Sequence, residues 1–172
     1  MDAQFAVDDS GMTADGYHIL NPVSKKAMYI ANAIKFGITA VAVFLLVHFS
    51  GELFGEAKDY ACMVIIGLYI VLAAYLITGP AVFYRRYRYR IDDDKVEIRR
   101  GIVTITHTLV PIERIHQVQV AKGPINRMFG LANVVITTAG GVTTLEYLDE
   151  ATAEGIASKL NEYVVKLLKD RD

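Results

Sequence analysis

The first 24 residues contain no lysine or arginine, and the stretch from Tyr60 to Tyr84 contains no charged residue. Cysteine is nearly absent. The single Cys62 cannot staple its own chain or build a thiolate metal site, which leaves it as a small residue inside an apolar run. Catalytic signatures are missing as well. There is no Gly-x-Ser-x-Gly elbow, no Gly-rich phosphate loop leading into Lys-Ser or Lys-Thr, and no His-Glu-x-x-His. His107 and His116 stand apart from any cysteine or closely spaced carboxylate pair that would complete a zinc site. The expectation is a protein that is not an enzyme and has no catalytic residues, no cofactor, no metal and no nucleic-acid partner.

What is present is strongly segregated. Asp2, Asp8, Asp9 and Asp15 give residues 1–24 an acidic, weakly apolar character, which predicts a flexible tail. Residues 25–84 predict a two-helix membrane hairpin. The run from Ala27 to Phe49, interrupted only by Asn32, Lys35 and His48, reaches roughly 34 Å as a helix, enough for a hydrocarbon core of about 30 Å. The uncharged run from Tyr60 to Tyr84 is slightly longer. Between them Ser50–Asp59 predicts a short external loop carrying Glu52, Glu56 and Asp59 against Lys58.

Lys25 and Lys26 precede the first span, and Arg85, Arg86, Arg88 and Arg90 follow the second. Basic residues at span ends are retained on the cytoplasmic side, so a multi-pass plasma-membrane protein with both termini cytoplasmic is expected. The same six residues are candidates for contact with anionic lipid headgroups. Lys35 lies about two turns inside the first span with no acidic residue in the second to pair with it. Either it snorkels to the headgroups or it meets a partner. Gly79-Pro80 predicts a kink near the end of the second span.

Past Tyr87 the apolar runs shorten and alternate. Tyr87–Ile91 and Val96–Arg100 read as a hairpin around the turn Asp92-Asp93-Asp94-Lys95, with β-branched residues continuing to Leu109. His116–Ala121 predicts a further strand. Pro124 and Gly130 bracket a short helix, and Asn133–Thr138 and Val142–Leu148 form a hairpin across Gly140-Gly141. Asp149 then opens a last helix whose Ile156, Leu160, Tyr163, Val164, Leu167 and Leu168 recur at helical spacing. Residues 85–172 thus predict one α+β domain of antiparallel strands with a packing helix.

The stretch VPIERIHQVQVAKGPINRMFGLANVVITTAGG resembles the core signature of the membrane-flanked bacterial PH-like domain family, the YdbS-like membrane proteins. The matching elements are Pro111, Arg114-Ile115, Gln117, Gly123-Pro124, Arg127, Phe129-Gly130-Leu131-Ala132 and Thr138-Ala139-Gly140. His116-Gln117 stands in reverse of the family's order. The resemblance implies a PH-like bent antiparallel sheet capped by a C-terminal helix on the cytoplasmic side of a membrane hairpin. It also implies that such proteins work alongside a larger relative with repeated copies of the domain. The triple Asp turn would repel an anionic headgroup where phosphoinositide-binding PH domains carry basic residues, so that pocket is not expected.

Arg114, Gln117 and Arg127, the polar members of the signature, are the candidate contacts for a partner or a headgroup. For Arg127 an ion pair with Glu113 or capping of helix carbonyls is the structural alternative. The leading expectation is an assembly or scaffolding role beside membrane lipids, as a homo-oligomer or with a related PH-like membrane protein. The alternatives are a lipid or amphiphile recognition module in envelope protection or export, and the small subunit of a transporter complex.

Overall fold

The computed structural model describes Thr13 and residues 16–169, with side chains through Lys166. The aspartates at 2, 8, 9 and 15 and the side chains of Leu167 and Leu168 lie outside the described residues. Helix α1 runs from Pro22 to His48. It begins ahead of the apolar run because Asn21-Pro22 is a strong start signal. The Asn21 side chain accepts from the Val23 N–H at 2.9 Å, and proline fills the first helical position, where its missing donor is not needed. The expected loop is mostly helical: α2 spans Ser50–Phe54 and a 3₁₀ turn covers Gly55–Ala57. Ser50 is buried there, donating to the Val47 carbonyl at 2.7 Å and lying 3.3 Å from Cys62 Sγ. Helix α3 then runs from Lys58 to Arg86. The stretches Pro22–His48 and Ser50–Arg86 are both long and apolar enough to cross a membrane.

Pro80 sits inside α3, which continues through it. A helical proline leaves the carbonyl four residues earlier without its usual donor, here Leu76. Asn32 of α1 supplies the replacement, its Nδ2 donating to Leu76 O at 2.8 Å. Within lipid an unpaired carbonyl is costly, so the one amide in the first apolar run and the proline in the second satisfy a single requirement. Phe36 and Tyr69, with ring centroids 5.5 Å apart, continue the same α1–α3 contact.

Tyr87 closes α3, and the chain enters two three-stranded antiparallel sheets. The first has the order β1 (Arg88–Ile91), β2 (Lys95–Arg100), β3 (Thr106–Pro111). The second has the order β4 (Ile115–Ala121), β5 (Leu131–Thr138), β6 (Gly141–Asp149). A 3₁₀ turn at Ile112–Arg114 joins them, α4 (Pro124–Met128) interrupts β4 and β5, and α5 (Glu150–Lys169) follows β6. Period-two alternation sends Tyr89, Val96, Ile98 and Val110 of the first sheet into the same core as Ala132, Val134, Ile136 and Leu145 of the second. Ala153, Ile156, Leu160 and Val164 of α5 close that core. Two antiparallel sheets with a C-terminal helix, placed after membrane helices, is the PH-like arrangement the resemblance implies.

The composition of residues 1–24 predicts a flexible tail. The described part of the 1–24 segment is docked, because its few apolar residues find a place. Tyr17 and Leu20 are buried, and His18 exchanges both backbone hydrogen bonds with Tyr89 at 2.8 and 3.1 Å, extending the edge of β1.

Candidate functional site

The faces of the first sheet differ sharply. Opposite the core, Arg88 and Arg90 of β1, Lys95, Glu97 and Arg99 of β2, and His107 of β3 share one side, as the register Arg88↔Arg99, Arg90↔Glu97 and Arg99↔His107 requires. Glu97 is the lone carboxylate among them and is only 4 % exposed. Its Oε1 meets Lys95 Nζ at 2.9 Å and Arg90 Nη2 at 3.1 Å; its Oε2 accepts from the Tyr17 hydroxyl and lies 3.2 Å from His107 Nε2. The Tyr17 ring lies between two guanidinium groups, Arg99 at 4.4 Å and Arg90 at 5.2 Å from its centroid. The Tyr17 hydrogen bond, followed by those from Lys95 and His107 and the charge of Arg90, holds the Glu97 carboxyl down at about 2. Burial and the same hydrogen bond push the Tyr17 phenol up.

The candidate contacts of the family signature are not brought together. Arg114, Gln117 and Arg127 are all exposed, and none makes a side-chain hydrogen bond or ion pair within the described residues. Arg114 lies beside the β1–β2 turn, since the neighbouring Ile112 N–H donates to Asp94 O at 2.9 Å. Arg127 lies on α4, which packs against α1. Between them runs β4, about 20 Å of extended chain bearing Gln117. The expected pairing of Arg127 with Glu113 is therefore absent, as are its carbonyl caps: β4 separates the two residues, and Gly130, in the left-handed region at φ 64°, ends α4 through backbone bonds instead.

The basic junction divides by role. Lys25, Lys26 and Arg85 are exposed, whereas Arg86 donates to Ile102 O and Arg88 Nη1 to Tyr87 O at 2.7 Å. Arg90 belongs to the Glu97 cluster and also pairs with Asp92 at 3.0 Å. Lys35 is exposed on the outside of the helical hairpin. A second polar link joins the sheets: Arg100 Nη1 meets Glu146 Oε1 at 2.8 Å, and the Glu146 N–H donates to the buried Tyr87 hydroxyl at 2.9 Å. Burial pushes the Tyr87 phenol and the Glu146 carboxyl up; Arg100 opposes the latter. At the β5–β6 bulge Tyr147 adopts φ 56°, held by the Asn133 side chain, whose Oδ1 accepts its N–H at 2.9 Å. This aims Tyr147 toward a cavity of about 360 Å³ shared with Ala31 of α1 and Pro124 and Ile125 of α4.

Among the described residues no group of three or more His, Cys, Asp or Glu is placed to hold a metal ion. None of His107, His116, Arg114 and Arg127 lines the cavity at Tyr147 or the one between α3 and the β2–β3 loop. The Glu97 cluster was missed by sequence reasoning. Its only local signal was a single Glu among alternating cations on strands already expected.

Residues 33–164 match the bacterial PH domain family. Among curated proteins, the transmembrane protein YdbS of Bacillus subtilis (strain 168) is 28% identical over 82 residues, covering 48% of this chain and 52% of YdbS. The transmembrane protein YdbT of the same organism is 30% identical over 96 residues, covering 56% of this chain and 20% of YdbT. The matches thus span about half the length of one relative and a fifth of the other. No solved structure matches significantly. Two long apolar helices, two antiparallel sheets with a capping helix and a family match over most of the sequence agree: this chain is a membrane protein of the bacterial PH domain family.

Proposed function

We propose that this chain is a non-enzymatic assembly module, whose PH-like domain is held at the inner leaflet and docks on a second copy or on a related PH-like membrane protein. The observation that carries this reading is the state of the family signature. Its polar side chains at Arg114, in the 3₁₀ turn that leads into β4, and at Gln117, on β4 itself, are exposed at an edge strand of the sheet and make no side-chain bond among the described residues. Edge strands with free polar side chains accept partners readily. A photoreactive benzophenone side chain at Gln117, in native membranes, is expected to give a covalent homodimer or an adduct with another bacterial PH domain protein. The same group at Asn161, exposed on α5, should give neither. Monomer alone from the Gln117 site sinks the proposal.

The orientation follows from Lys25, Lys26, Arg85 and Arg86 gathering at one end of the hairpin, with Glu52, Glu56 and Asp59 at the other. Both termini are then cytoplasmic. In a Cys62→Ala background, Glu56→Cys should react with a membrane-impermeant maleimide on intact cells, and Lys26→Cys only after permeabilisation. The opposite pattern overturns this orientation.

Recognition of a lipid or amphiphile is the second reading, favoured by Arg127 standing exposed on α4 against α1, beside the cavity at Ala31 and Tyr147. A monomer that retains one lipid species through purification in native nanodiscs would shift the choice to it.

A further inference from the structure

Strand direction fixes which ends of the domain approach the membrane. β1 leaves the end of α3, so the Asp92–Asp94 turn stands at its far end. β2 returns, and the β2–β3 loop, Gly101–Ile105, must arrive back beside α3. It does so well inside the apolar stretch. A methyl group added at Gly79 would touch Ile102 Cδ1 at 3.4 Å, and Gly79 lies roughly 10 Å along the helix axis before Arg86. Arg86 itself donates to the Ile102 carbonyl. The loop is held compact by Gly101, at φ 147°, where a Cβ would collide with Thr104 O at 1.9 Å. It carries no charge, and while Ile102 turns to α3 its other two apolar side chains are left exposed, Val103 at 86% and Ile105 at 59%. Between loop and helix lies an open cavity of about 440 Å³ bounded by Tyr75, Phe83, Arg100, Ile102, Val103 and Glu146.

We propose that the Gly101–Ile105 loop is an interfacial wedge, with Val103 and Ile105 buried in the headgroup–acyl boundary of the leaflet that α1 and α3 enter on the domain's side. The occupant of this apolar surface is lipid, because the covalent path and the Ile102–Gly79 contact place it at a depth where lipid surrounds α3. The neighbouring Ile77 is outward-facing and 62% exposed. Apolar tips beside arginines suit that boundary: Arg86 at the end of α3 holds the loop through the Ile102 carbonyl, Arg100 precedes the loop and is paired with Glu146, and Val103 and Ile105 are left to leave water. The acidic Asp92–Asp94 turn is placed at the other end of β2, about 20 Å along the strand from the loop and away from an anionic surface. The wedge does not rest on the assembly reading. It fixes the tilt of the domain on the bilayer and leaves the β4 edge free.

The test uses the full chain in phosphatidylcholine–phosphatidylglycerol nanodiscs, with Cys62→Ala and a single new cysteine carrying an environment-sensitive fluorophore. At Val103→Cys, quenching by shallow nitroxide-labelled lipid should be several-fold stronger than at Asp94→Cys, and quenching by aqueous iodide several-fold weaker. Val103 touches little of its own protein, so this substitution leaves the fold intact. Iodide access at Val103→Cys equal to that at Asp94→Cys overturns the wedge, and so does protection from both quenchers, which would mean a covering protein.

Discussion

Replacing Glu97 by Gln is expected to release the N-terminal segment from the sheet and to remove a large part of the domain's acid sensitivity. The side chain keeps its volume, but four neighbours lose the anion around which they are arranged: Tyr17, Arg90, Lys95 and His107. Arg90, Lys95 and His107 then converge, each about a third exposed, on a buried position that no longer carries the charge that gathered them, so removing this one partner is more damaging than the net worth of the cluster suggests. The carboxyl sits at about 2 in the fold against an ordinary 4.5. Its stabilisation is therefore complete above about pH 4.5 and is lost as pH falls toward 2. That linkage is on the order of 2–3 kcal/mol once solvent around the half-exposed cations is allowed for. Hydrogen–deuterium exchange in nanodiscs at pH 7 should show residues 16–20 opening in Glu97→Gln. The fall in melting temperature from pH 4.5 to 2.5 should be shallower than in the native chain. An unchanged acid limb with residues 16–20 still protected would mean that Glu97 does not hold the segment.

Tyr87→Ala should have the larger effect on the domain itself. Tyr87 is fully buried at the point where α3 becomes β1, packs against Phe83 with ring centroids 5.4 Å apart, and accepts the Glu146 N–H from the second sheet. Truncation leaves a cavity the size of an aromatic ring and an orphaned amide, for an expected loss of about 3–5 kcal/mol. Tyr87→Phe removes the acceptor alone and should lose about 1–3 kcal/mol. Both losses should appear as earlier unfolding of β1, β2 and β6 by hydrogen exchange, while the helices stay in the membrane. A loss below about 1 kcal/mol for Tyr87→Ala, against the usual range for core aromatics, would show that Tyr87 does not couple helix and domain.

These two residues mark where sequence reading succeeds and where it stops. Tyr87 belongs to a segment whose alternation, tyrosines against arginines, already assigned the two faces of a strand. The strands, the short helix ending at Gly130 and the apolar face of α5 are legible in the same way, because each depends on neighbours a few residues apart. Glu97 looked like one more solvated charge. Its burial is produced by Tyr17, 80 residues earlier in the chain and inside a segment whose composition argued for flexibility. Pattern rules contain no term for such a long-range meeting. The separation of Arg114 from Arg127 was available in principle, since the strand expected between them is too long and straight to fold them together. The helical character of the Ser50–Ala57 link was not, because Gly51 and Gly55 and the charges there are ordinary loop residues.

The bond between Asn32 and the Leu76 carbonyl has an evolutionary corollary. A chain that exchanged Pro80 for alanine would regain the helix's own donor for that carbonyl and strand the Asn32 amide in hydrocarbon. A chain that exchanged Asn32 for leucine would strand the carbonyl instead. Each single change crosses a fitness valley that the double change avoids, so the two positions, 48 residues apart, should be inherited as one character. Divergent copies of this hairpin are then expected to carry both residues or neither.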